Sequence, residues 1–84
     1  MKTTVFDQNC ELWEITWGIY DANLESELAK LGVVGELVYT GNERIFRDPI
    51  YGEKHRLSTF KDEEQNPFLL SEITPSVYAI GRKK

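Results

Sequence analysis

Cys10 and His55 are the only cysteine and the only histidine in the chain. A thiolate beside an imidazole makes a nucleophile–base pair. No activating motif surrounds either residue, so no catalytic pair is expected. A structural zinc site needs three or four Cys, His or carboxylate ligands at close quarters. One His with one Cys falls short, and neither a metal nor another cofactor is expected. Asp62-Glu63-Glu64 lacks the alternating spacing and central glycine of a calcium loop and reads as a solvated acidic run. The six glycines are dispersed, with no glycine-rich turn to cradle a phosphate. Fourteen Asp and Glu residues among 84 guarantee chance proximities, so no carboxylate pair stands out for acid–base work. These residues point away from an enzyme.

Binding chemistry is better represented. Residues 43–61 carry five bases and three acids, against two bases and seven acids in 1–42 and three bases and four acids in 62–84. Arg44, Arg47, Lys54, Arg56 and Lys61 are interleaved with Phe46, Tyr51 and Phe60. Cations and aromatic rings on a sheet suit single-stranded nucleic acid, through phosphate attraction and base stacking. On that alternative reading the contacts are Arg44, Arg47, Tyr51, Lys54 and Arg56. The net charge of −4 opposes it.

The elements that would position these groups follow from periodicity. Trp13, Ile15, Trp17 and Ile19 alternate along 11–20, the period of a half-buried strand; the two Trp residues are expected in the core. Residues 3–6 form a short partner strand. Asp21 is placed to cap a helix over 22–31, with Leu24, Leu28 and Leu31 on one stripe and Gly32 as the stop. Gly41-Asn42 suits a two-residue type II′ turn joining strands 34–40 and 43–48. That register sets Tyr39 against Arg44, Val38 against Ile45 and Glu36 against Arg47. Residues 48–52 read as a turn and 53–60 as a returning strand. Asn66-Pro67 resembles a helix start, giving a short helix over 68–73 that competes with an extended reading. A strand over 76–81 and a frayed basic tail, Arg82-Lys83-Lys84, complete the chain.

With 40% hydrophobic and 29% charged residues, the 84-residue chain is expected to fold as one soluble domain spanning 1–84. The expected class is α+β: a mainly antiparallel sheet of about five strands with the 22–31 helix packed on one face. A single cysteine and the lack of an apolar run of signal-peptide or membrane-spanning length suggest the cytoplasm. The function expected is that of a non-enzymatic small acidic protein acting through protein–protein interaction, as an accessory, regulatory or inhibitor protein. Val38 and Ile45, ringed by Glu36 and Arg47, are the candidate contact patch. Self-association through an uncovered edge strand is the other route to a partner.

Overall fold

The computed structural model describes residues 1–49 and 51–84. Its strands are β1 (Lys2–Phe6), β2 (Leu12–Tyr20), β3 (Val38–Arg47), β4 (Lys54–Lys61), β5 (Pro67–Thr74) and β6 (Val77–Lys83), with one helix, α1 (Leu24–Lys30). They form a single antiparallel sheet in the order β1-β2-β6-β5-β4-β3. The α+β class holds, weighted towards sheet, with six strands where about five were expected. No helix among the described residues is long and apolar enough to cross a membrane.

The expected hairpin at Gly41-Asn42 is not formed. Tyr39 pairs with Phe60 and Glu43 with Ser58, so residues 40–42 stand opposite Thr59 alone, as a bulge in one continuous strand. Gly41 supplies the positive φ of 87° that the bulge needs. The Thr40 and Thr59 hydroxyls bond to each other, and Thr59 Oγ1 donates to the Asn42 carbonyl at 2.9 Å. Arg44 therefore faces Leu57 and Arg47 faces Lys54, while Glu36 precedes the strand. Two long-range constraints oppose the shorter hairpin. β4 offers a partner eight residues long, and Val34 is tied to the β4–β5 turn, its N–H donating to Asp62 and its carbonyl accepting from Glu63.

Residues 68–73 lie within β5 and are not helical. Phe68 and Leu69 are both buried although neighbours on a strand face opposite ways. A strand covered on both faces has a continuous apolar run, which periodicity cannot separate from a helix. Pro67 opens the strand, where its missing N–H is tolerated. Nor is the basic tail frayed: Arg82 and Lys83 lie in β6, with Arg82 Nε 3.5 Å from Glu14 and Lys83 paired with Glu11.

Helix α1 is shorter than expected and follows a 3₁₀ turn, Asp21–Asn23. Asp21 does not cap it. Burial, followed by the nearby charges of Glu72 and Asp21, holds the Tyr78 pKa above that of an ordinary phenol. Gly32, at φ 90°, does stop the helix: its N–H reaches the Ala29 carbonyl while Val33 N–H reaches Leu28.

The main core cluster lies on one face of the sheet, with Trp13, Ile15, Trp17, Phe46, Leu57, Leu69 and Ala79, while Phe68 and Ile80 are buried on the other. Ile19 leaves this set because the β2–β6 register shifts at Gly18, between Trp17 and Ile19. The sheet is strongly curled around the core. β6 and β5 stand between β2 and β4, which in a flat sheet would separate them by about 14 Å. Yet the Trp17 and His55 ring centroids, one on each strand, are 5.8 Å apart. Gly81, on the inner side of the curl, has no room for a side chain, since a Cβ would lie 2.8 Å from the Glu14 carbonyl oxygen.

Candidate functional site

Three aspartates organise three of the chain reversals. Asp7 accepts from the N–H groups of Asn9 (2.7 Å) and Glu11 (2.9 Å), and Asp62 from those of Glu64 and Asn66, both at 2.9 Å. Asp48 accepts from Tyr51 (2.6 Å) and Glu53 (3.1 Å). Among the described residues, each turn then carries one with positive φ: Cys10 at 62°, Gln65 at 67° and Gly52 at 71°. All three aspartates are buried, so Asp62 is not part of a solvated run; only Glu63 and Glu64 of that trio are exposed. An aspartate that satisfies two backbone donors of its own loop is a folding device before it is a reagent.

Asp7 does more than close its turn. Its Oδ2 accepts from the Trp13 indole at 2.9 Å and lies 3.1 Å from Arg44 Nε, in charge contact but off the N–H axis. Burial pushes the Asp7 carboxyl up; the hydrogen bonds from Glu11, Trp13 and Asn9 and the Arg44 charge outweigh that push, so its pKa lies below the ordinary value. The same balance, with donors at Asn66, Val34 and Glu64, lowers Asp62. Cys10 is exposed in the Asp7 turn, while the His55 ring lies against Trp17 and its Nε2 meets Asp48.

At the β3–β4 turn, Asp48, Glu53 and His55 converge. Asp48 N–H donates to the Glu53 carbonyl at 2.8 Å, making these two residues cross-strand partners beyond Arg47 and Lys54. His55 follows Glu53 by two residues and so shares its face. Ligand atoms of the three lie within 4.8 Å of one another, and His55 Nε2 is 2.9 Å from Asp48 Oδ2. Sequence reasoning weighed only Cys with His and contiguous acids, and missed this set. The signal was present in a turn at 48–52 followed by strand alternation, which puts 48, 53 and 55 on one face.

The expected contact patch is divided. Val38 pairs with Lys61 and Ile45 with Arg56; Lys61 lies five positions on from Arg56, an odd step, so the two pairs face opposite ways. Glu36 lies outside the sheet, and Ile45 and Arg47 remain exposed together. Arg44 is withdrawn from the basic surface by Asp7 and Glu11. Arg47, Lys54 and Arg56 share the outer face, with Tyr51 81% exposed in the adjoining turn. An open cleft of about 1020 Å³ at the other end is lined by Trp13, Tyr39, Arg44, Phe60 and Lys83. Arg44 and Lys83 there are already engaged by acids.

The two sheet edges differ. On β3, the Gln8 side chain accepts from Ile45 N–H at 3.0 Å and donates to the Glu43 carbonyl at 3.4 Å, occupying the outer edge as a neighbouring strand would. On β1, Met1 and Asp7 bond to Trp17 and Glu11, so the odd residues face β2 and Lys2, Thr4 and Phe6 turn their backbone groups outward. Phe6 is 66% exposed beside them. Comparison with protein-family models, curated proteins and solved structures finds no match to this chain.

Proposed function

We propose that the protein is a non-catalytic accessory, regulatory or inhibitor protein that captures another protein by accepting an extended segment as a seventh strand along β1. The observation that carries this reading is the asymmetry of the edges. Unpaired strand edges are templates for pairing, and folds that do not use them cover them. Here β3 is covered by Gln8, whereas β1 presents three outward-facing residues, Lys2, Thr4 and Phe6, flanked by exposed Met1. Strand addition draws affinity from backbone hydrogen bonds and specificity from alternate side chains, and it requires none of the reactive groups this chain lacks.

Thr4→Pro tests the proposal. It removes an outward N–H that the sheet does not use, at an edge position where proline is tolerated. A photo-crosslinker at Phe6 should capture a defined partner in host cells, and Thr4→Pro should abolish that capture while leaving the circular dichroism spectrum unchanged. Capture that persists in Thr4→Pro would contradict strand addition.

A second reading rests on Arg47, Lys54 and Arg56 sharing one face beside Tyr51. It treats that face as a platform for single-stranded nucleic acid. It predicts binding of labelled oligonucleotides that weakens steeply with salt; no binding at low salt removes it.

A further inference from the structure

We propose that Asp48, Glu53 and His55 form a binding site for a divalent transition-metal ion of the zinc type. This inference is independent of the strand-docking reading, because the three residues lie in and beside the β3–β4 turn and none belongs to β1. Three features carry it. The ligand atoms already lie within 4.8 Å of one another, so a single ion can reach all three with small side-chain movements. Two carboxylates and an imidazole offer the mixed oxygen and nitrogen donors that zinc-type ions prefer over magnesium or calcium. Their formal charge of −2 balances the ion.

The positions are also held. The Asp48 carboxylate is anchored by the Tyr51 and Glu53 N–H groups, and the His55 ring lies against Trp17. Glu53 is exposed and the other two are buried or half-buried, so the site opens to solvent on one side. Three protein ligands leave a coordination position for water. An ion bound at His55 Nε2 takes the place of the hydrogen bond to Asp48 Oδ2, and the neutral ring then carries its proton on Nδ1.

The test is calorimetric titration of tag-free protein with ZnCl2, read in parallel through tryptophan fluorescence. One-site binding is expected, with no comparable heat from MgCl2 or CaCl2. His55→Gln and Glu53→Gln should each weaken it about tenfold or more, and Cys10→Ser should leave it unchanged. Glu53 is exposed, so its variant keeps the fold and separates ligand loss from unfolding. No saturable zinc binding by the wild type, or wild-type affinity in both Glu53→Gln and His55→Gln, would overturn the site.

Discussion

The Asp7 carboxylate accepts two backbone donors and one indole while lying in charge contact with Arg44. Asp7→Asn keeps the shape but removes the charge and turns one acceptor into a donor facing Trp13 or Arg44. Leaving buried partners unsatisfied in this way costs about 3 kcal/mol, which urea denaturation would read as a lowered midpoint. The pH dependence follows from the lowered pKa values of Asp7 and Asp62. A carboxyl that is more acidic folded than unfolded adds stability above its unfolded pKa, and that stability is lost as pH falls through the folded value. Stability should therefore hold near neutrality and fall below about pH 4. Asp7→Asn should show a shallower acid limb, and an unchanged limb would remove Asp7 from the account.

At the scale of elements, Gln8 is the residue that separates the two edges. Gln8→Ala should cost only about 1 kcal/mol, as a partly exposed hydrogen-bonding side chain, yet it uncovers Glu43 and Ile45 on β3. Sedimentation should then show concentration-dependent self-association absent from the wild type; a variant that stays monomeric would mean that the β3 edge needs no cover. Much of this level was legible. The alternation of Trp13, Ile15 and Trp17, the glycine stop at Gly32 and the return strand after 52 all rest on local periodicity or φ preference. Gly41-Asn42 misled because a positive-φ glycine serves a bulge as well as a turn, and the choice was made by the long-range partner β4 and by the tie of Val34 to Asp62. Residues 68–73 misled because burial on both faces erases the strand period. The Gln8 cover and the Asp48, Glu53 and His55 cluster depend on contacts across the curl and between strands, which no single window of sequence displays.

For the whole molecule, the curl sets what is available to partners. It brings the Asp7 turn against β3, with Arg44 and Gln8 as the links, and draws His55 of β4 onto Trp17 of β2. The inner face is thereby filled and the β3 edge occupied, while β1 is left with one neighbour. Binding by strand addition at β1 thus depends on a single structural asymmetry, which residue-resolved amide hydrogen exchange measures most directly. Thr4 and Phe6 should exchange quickly, while Thr3 and Val5, bonded to β2, and Ile45, bonded to Gln8, should be protected. Protection of Thr4 and Phe6 equal to that of Thr3 and Val5 in the monomer would contradict the account, because the β1 edge would then already be occupied.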